Sequence, residues 1–377
     1  MRIGISTTTI EPSLSFGKID GIGVYTKNLL QYYNTTQNPV IRVAYPPLRK
    51  ILQISALSSQ VNLFLPYSIS SACHFTSLGC YLNKNIENKI DLFHATDYRI
   101  PQFKNIPVIA TLHDAIMFKH PEWCNPRFRT FKNKLLKHSI KHADHVIAIS
   151  KAMVSDLIEY WGIDENKISV VYNGITDWWF NTVSAQEKNA ILAKFNLKEK
   201  KFLLSVGTLQ PRKNFMRIIQ AYQALPRDIQ NEYKLVLIGK NGWQTEELVR
   251  EINQLAKNNS VLWLQYIADE ELRALYQSAK LFLFPSLSEG FGFPILEAFA
   301  SKTPVLTSNL TSLPEVAGNA AYLVDPYSIN EISQGMATLL TNDTLCDELI
   351  KRGEARATQF SWTTCAEETL QVYKKMA

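Results

Sequence analysis

A chain of 377 residues is longer than one ordinary hydrophobic core organises, so two domains are expected. With 46% apolar and 20% charged residues it has the composition of a soluble globular protein, and no apolar run approaches the length of a membrane span. A net charge of +6 with no recognition motif argues against a nucleic-acid partner, and five cysteines (Cys73, Cys80, Cys124, Cys346, Cys365) without paired metal-type spacing argue against a disulfide framework or a zinc site.

The first residues, Met1 to Ser6, run straight into a strand with no signal-peptide layout, so a cytoplasmic location, or one at the inner face of the cytoplasmic membrane, is expected. Strands are predicted over Arg2 to Thr7, Ile41 to Tyr45, Asp91 to Ala95, Val108 to Leu112, His145 to Ile149 and Ser169 to Tyr172, alternating with helical stretches. The segment from Ile51 to Tyr81 lacks clean periodicity and reads as helix and loop. After the first strand comes Asp20-Gly21-Ile22-Gly23, ahead of a helix. Two glycines there let backbone approach a phosphate or sugar, but the third glycine of a dinucleotide fingerprint is missing. The strand ending at Leu112 delivers His113-Asp114, where a histidine could donate to a substrate hydroxyl or act as a base with Asp114 orienting it. His94 sits similarly at a strand end and is a weaker candidate. Between Arg127 and Lys141, Arg127, Arg129, Lys132, Lys134, Lys137 and Lys141 alternate with Phe128, Phe131, Leu135, Leu136 and Ile140. This basic amphipathic helix suits an anionic lipid surface, or else is a solvated face with its apolar side in the core.

The texture changes after Asn173-Gly174, giving a first domain over 1–175, a linker with one helix over 176–200, and a second domain over 201–377 whose last helix could pack back on the first. Strands are predicted at Phe202 to Val206, Lys234 to Ile238, Val261 to Gln265, Leu281 to Phe284, Val305 to Thr307 and Ala321 to Val324. The pattern is α/β throughout: two Rossmann-like, doubly wound domains facing a central cleft, with ligands expected beyond the carboxyl ends of strands.

Two constellations in the second half carry most of the chemistry. Gly207-Thr208-Leu209-Gln210-Pro211-Arg212-Lys213-Asn214 leads from a strand through a glycine turn to adjacent cations that could neutralise a diphosphate, with Asn214 placed to cap the next helix. Glu289-Gly290-Phe291-Gly292-Phe293-Pro294 joins a buried strand to a helix that carries Glu297, so two carboxylates stand eight positions apart around a glycine loop. Loop amides and the helix dipole suit phosphates, while carboxylates accept from hydroxyls; together they suit a nucleotide-sugar. Ile267, between a strand and a helix that Asp269 is expected to cap, could border a base pocket.

Taken in order, Gly21-Ile22-Gly23, His113-Asp114, Ser150-Lys151, Asn173-Gly174, Gly207-Thr208 with Pro211 to Asn214, Glu289 to Glu297 and Asp325-Pro326 resemble the large retaining glycosyltransferase family 4, which has the GT-B fold. The resemblance implies an enzyme that moves a sugar from a nucleoside diphosphate to an acceptor hydroxyl without a metal or other cofactor. By that analogy Arg212 and Lys213 hold the diphosphate, Glu297 the ribose, and Glu289 with the Gly290, Phe291 and Gly292 amides the donor sugar. His113 contacts a sugar hydroxyl, and the Gly21–Gly23 loop approaches donor phosphates or acceptor. The cationic motif resembles that of bacterial mannosyltransferases of surface-polysaccharide synthesis, implying GDP-mannose as donor and a glycan or lipid-linked oligosaccharide as acceptor. The rivals are a UDP-sugar-dependent transferase, a sugar-nucleotide epimerase of the same fold, and a non-catalytic sugar-binding scaffold.

Overall fold

The computed structural model describes residues 1–11, 19–36, 38–46, 61–63, 78–127 and 129–377. The chain divides into two compact units, one made of Met1–Pro121, Pro126–Gly174 and Ser361–Ala377, the other of Glu122–Asn125 and Ile175–Phe360.

In the first unit β1 (Ile3–Ser6), β2 (Val40–Ala44), β3 (Val61–Leu63), β4 (Leu92–Ala95), β5 (Val108–Leu112), β6 (His145–Ala148) and β7 (Ile168–Val170) form one parallel sheet in the order β3-β2-β1-β4-β5-β6-β7. The central strands are apolar on both faces, as a sheet covered by helices on each side requires, and every residue of β1, β4 and β5 is buried. β3 was not expected from sequence: it lies in the segment read as helix and loop, is three residues long, and pairs with β2 at the sheet edge. Most of the rest of that segment (51–60 and 64–77) lies outside the described residues.

Helix α1 (Gly21–Thr35) follows β1, and α2 (Arg129–Ser139) follows β5. The second unit holds α3 (Ala185–Lys194), α4 (Phe215–Gln223), α5 (Asp269–Ser278) and α6 (Phe293–Ala300). Helix α7 (Trp362–Met376) returns to the first unit. Ser361 accepts from the Thr364 amide at its start, and Tyr33 of α1 donates to the Ala366 carbonyl at 3.1 Å.

The second sheet is also parallel, built from β8 (Phe202–Val206), β9 (Lys234–Ile238), β10 (Val261–Leu264), β11 (Leu281–Phe284), β12 (Val305–Ser308) and β13 (Tyr322–Val324) in the order β10-β9-β8-β11-β12-β13. The stretch read as a linker is an integral part of this unit. Helix α3 starts with a reciprocal cap between Ser184 and Glu187, Lys194 pairs with Glu271 of α5, and the Arg273 guanidinium stacks 4.1 Å from the Trp178 ring. No helix among the described residues is long and apolar enough to cross a membrane.

Candidate functional site

Strand order in each sheet reverses beside its first strand, between β1 and β4 in the first unit and between β8 and β11 in the second. At such a point adjacent strands send their connections to opposite faces, which leaves a crevice beyond their carboxyl ends.

In the second unit the two loops at that point are Gly207 to Asn214, after β8, and Pro285 to Gly292, after β11. They are tied together by backbone: the Leu287 amide donates to the Arg212 carbonyl at 2.7 Å. The Arg212 guanidinium donates to the Ser288 carbonyl at 3.2 Å and to Glu289 Oε2 at 2.7 Å, while Lys213 Nζ donates to Glu289 Oε1 at 2.6 Å. One carboxylate therefore bridges both cations that the sequence places at this turn. Lys213 Nζ also lies 4.6 Å from the centre of the Phe284 ring, whose negative face attracts it.

The electrostatics follow from enclosure. Burial raises the cost of ionising Glu289, yet Arg212 and Lys213 outweigh it and hold the carboxyl below its ordinary range. Burial pulls the Lys213 ammonium down to about 8, although Glu289 and Glu297 both favour its charge. Glu297, on α6, accepts from the Tyr276 hydroxyl of α5 at 3.0 Å. Burial, reinforced by the nearby Asp269, pushes its carboxyl up to about 7 against that bond and against Lys213. Arg212, Lys213, Glu289 and Glu297 are thus one interacting set.

The glycines shape the backbone around that set. Gly207 carries φ 152° and Gly239, after β9, φ 151°; a Cβ on Gly239 would stand 1.8 Å from the Gly207 carbonyl oxygen, so only glycine lets the two loops run side by side. Gly239 escaped sequence reasoning, and its only signal was a glycine directly after a buried strand. Gly292, at φ 119°, precedes the first residue of α6, with Pro294 in the first turn as expected. Ile267 lies buried between β10 and α5, and its neighbour Tyr266 is 87% exposed. Gly290 and Phe291 complete the loop, where the Ser312 hydroxyl donates to the Glu289 and Phe291 carbonyls.

Two expected caps are corrected here. Asn214 stands at the start of α4 but with φ 63°, and its side chain donates instead to the Pro285 and Pro326 carbonyls, so it ties three loops together rather than capping. Helix α5 is closed by Glu271, which accepts from the Ala268 amide at 3.1 Å; Asp269 is already the first residue of the helix and cannot reach back as a cap.

In the first unit His113, at the end of β5, is buried, and its Nε2 lies 2.9 Å from the Thr96 carbonyl. A carbonyl only accepts, so Nε2 carries the proton; burial lowers the ring's pKa, and the neutral ring keeps Nδ1 as an acceptor. Asp114 does not orient it: its Oδ1 accepts from the Ile116 amide at 3.2 Å, because the chain turns there into a short helical segment. Tyr25 of α1 packs edge-on against His113, 5.2 Å between ring centres.

His94 is a core residue. It is fully buried, with Nδ1 2.6 Å from the Tyr373 hydroxyl and Nε2 2.8 Å from Thr111 Oγ1, and burial pushes its pKa down to about 3. Gly21 and Gly23 lie inside the first turn of α1 rather than in a loop before it, since Asp20 caps the helix by accepting from the Gly23 amide at 2.9 Å. A Cβ on Gly23 would press against Ile19 at 2.7 Å, so this glycine serves close packing of the helix start.

Comparison with known proteins bears directly on these two units. The family described as Glycosyl transferases group 1 matches residues 187–356, and Glycosyltransferase Family 4 matches residues 19–177. The O-antigen chain mannosyltransferase B of Escherichia coli is 33% identical over 75% of this chain and 74% of its own length. The serotype-specific mannosyltransferase WbdA of the same organism is 32% identical over 72% of this chain, a match that spans 34% of that longer protein. Among solved structures, Anabaena HepE in complex with UDP-glucose superposes over the whole of both chains with a TM-score of 0.76 at 18% identity, a likeness of fold. Two parallel α/β units, matched in order by the two halves of one family, show that the chain belongs to the family 4 glycosyltransferases and is a glycosyltransferase of the GT-B fold.

Proposed function

We propose that the protein transfers mannose, with retention of anomeric configuration, from GDP-mannose to a hydroxyl of a glycan or lipid-linked oligosaccharide in surface-polysaccharide synthesis. The observation that carries this reading is the convergence of Arg212 and Lys213 on the switch point of the second unit, a pair of cations where a diphosphate leaving group gathers charge. The sugar is suggested by the relatives, which are named as O-antigen mannosyltransferases.

Transfer breaks the bond between the anomeric carbon and the leaving phosphate oxygen and forms one to the acceptor oxygen, whose proton passes to the leaving phosphate. Arg212 and Lys213 bind the diphosphate and stabilise its growing charge without calling on a metal. Glu297 accepts from ribose hydroxyls, Glu289 and the Gly290, Phe291 and Gly292 backbone engage the donor sugar, and Ile267 borders the base. Gly207 gives the diphosphate room to approach the chain. His113 accepts a hydrogen bond from a hydroxyl of the sugar through Nδ1. Front-face attack, with the leaving phosphate oxygen taking the acceptor proton, gives retention without a covalent role for Glu289, whose carboxylate is then used to accept from the sugar hydroxyls.

The acceptor side suits work at the inner face of the cytoplasmic membrane. Helix α2 buries Leu136 and Ser139 but leaves Phe131 63% exposed beside exposed Lys132, Lys134 and Lys137, a pattern that favours anionic lipid. Phe128 of the same segment lies outside the described residues. Replacing Lys132, Lys134 and Lys137 by Ser should reduce sedimentation with phosphatidylglycerol vesicles severalfold; unchanged sedimentation would remove the membrane contact.

A thermal-shift panel of GDP, GDP-mannose, UDP, UDP-glucose and UDP-GlcNAc tests the donor, because a ligand of the folded state raises the melting temperature. Stabilisation by the guanosine compounds alone is expected. Stabilisation by the uridine compounds instead would keep the enzyme class and replace the donor. A changed free sugar released without acceptor would mark an epimerase, and no response at all would favour a scaffold.

A further inference from the structure

The position of Glu289 has a consequence for turnover. Its carboxylate neutralises one of the two positive charges that a diphosphate would use, and it does so with both oxygens, at 2.7 Å from Arg212 and 2.6 Å from Lys213. Its main chain is held independently: the Glu289 amide donates to Thr311 Oγ1 at 3.2 Å and its carbonyl accepts from Ser312 Oγ at 3.0 Å. Only side-chain torsions are therefore needed to move the carboxylate.

The cations also have anchors of their own. Arg212 donates to the Ser288 carbonyl, its own carbonyl accepts from the Leu287 amide, and Lys213 rests over Phe284. They keep their places when the carboxylate leaves, so its departure raises the positive charge available to a ligand instead of dismantling the site.

We infer that Glu289 controls release of the nucleoside diphosphate product by alternating between two sets of partners, the hydroxyls of the donor sugar and the cations Arg212 and Lys213. While the sugar is attached, its hydroxyls donate to Glu289 and the cations serve the diphosphate. Once the sugar has moved to the acceptor, the carboxylate loses those donors, returns to the two cations and competes with the diphosphate for them. No bond is made or broken in this step. The inference rests on the reading of this site as the nucleotide-sugar donor site.

Calorimetric titration of wild type, Glu289→Gln and Glu289→Asp with GDP, UDP, GDP-mannose and UDP-glucose tests it. Glu289→Gln keeps the size of the side chain and removes its charge. It should bind the free nucleoside diphosphate about tenfold more tightly than wild type, gain less for the sugar-bearing donor, and show a steeper loss of affinity with added salt. Glu289→Asp, which withdraws the carboxylate by one methylene, should lie between, and it keeps the test alive if the glutamine variant does not fold. Diphosphate affinity in the variants equal to or below wild type would overturn the inference while leaving the donor site standing. Wild-type protein that binds neither GDP nor UDP would overturn the donor site and the inference with it.

Discussion

The two strand-end regions of this chain are built on the same scaffold and hold opposite kinds of chemistry. At the ends of β4 and β5 of the first unit the hydrogen-bonded network around the two histidines is neutral, with His113 on the Thr96 carbonyl, His94 between Tyr373 and Thr111, and Tyr25 on Thr111 at 2.9 Å, and the buried Asp97 at its margin is paired with Arg99 at 3.0 Å. Beyond β8 and β11 of the second unit they are ionic, with Arg212 and Lys213 sharing Glu289 and with Glu297 raised toward neutrality. A neutral network whose members satisfy one another is fixed by its geometry, and displacing one member orphans the rest. An ion cluster with a surplus of one charge type can trade partners with an anion at little geometric cost. The first region is suited to orienting hydroxyls and the second to binding and releasing a charged leaving group.

That contrast can be broken by mutation, the largest effect being expected at the ion cluster. On the proposed reading Lys213→Met removes a cation from the leaving group and should lower kcat by about 10² to 10³, read in a steady-state transfer assay. Glu297→Ala should weaken donor binding by about tenfold to a hundredfold in calorimetry, as loss of its proposed hydrogen bonds to ribose hydroxyls would. His113→Ala should spare donor binding and slow transfer by about tenfold, because on the proposed reading its single acceptor nitrogen orients the sugar and does not hold the nucleotide.

The neutral region should respond in stability. His94→Phe leaves the Tyr373 hydroxyl without its ring-nitrogen partner and should cost about 2 kcal/mol in denaturant unfolding, with nucleotide affinity unchanged. A smaller effect separates the regions by pH. Glu297 has its pKa raised from 4.5 to about 7, so its share of stability is complete below pH 4.5 and is lost as pH rises through 7. Glu297→Gln, which stays neutral, should therefore gain melting temperature relative to wild type between pH 5 and pH 8; a constant difference across that range would mean that Glu297 is not held near neutrality.

The contrast also explains what could be read from the sequence. Buried parallel strands announce themselves as short apolar runs, so twelve of the thirteen strands among the described residues were located within a residue or two, and the exception, β3, is a three-residue edge strand in a stretch without periodicity. The cations and carboxylates of the second unit stood out because charged residues at strand ends are costly to bury without a purpose. What could not be read was pairing across long separations. Nothing local says that Glu289 closes on Arg212 and Lys213, that Asn214 reaches Pro285 and Pro326 instead of its own helix, or that His94 meets Tyr373 from the last helix. Gly239 was missed for the same reason: its constraint is the carbonyl of Gly207, on another strand's loop. Gly21 and Gly23 were misread locally, since the aspartate N-cap Asp20 starts the helix at Gly21 and so takes both glycines into its first turn.

The central claim, that the Arg212–Lys213 pair is the diphosphate seat of a nucleotide-sugar donor, is tested most directly by titrating GDP-mannose into wild-type protein and Lys213→Met. Saturable one-site binding by wild type, weakened at least tenfold in the variant while its melting temperature is retained, is the predicted result. Equal affinity in the two proteins would contradict it and move the donor site away from the loops that follow β8 and β11.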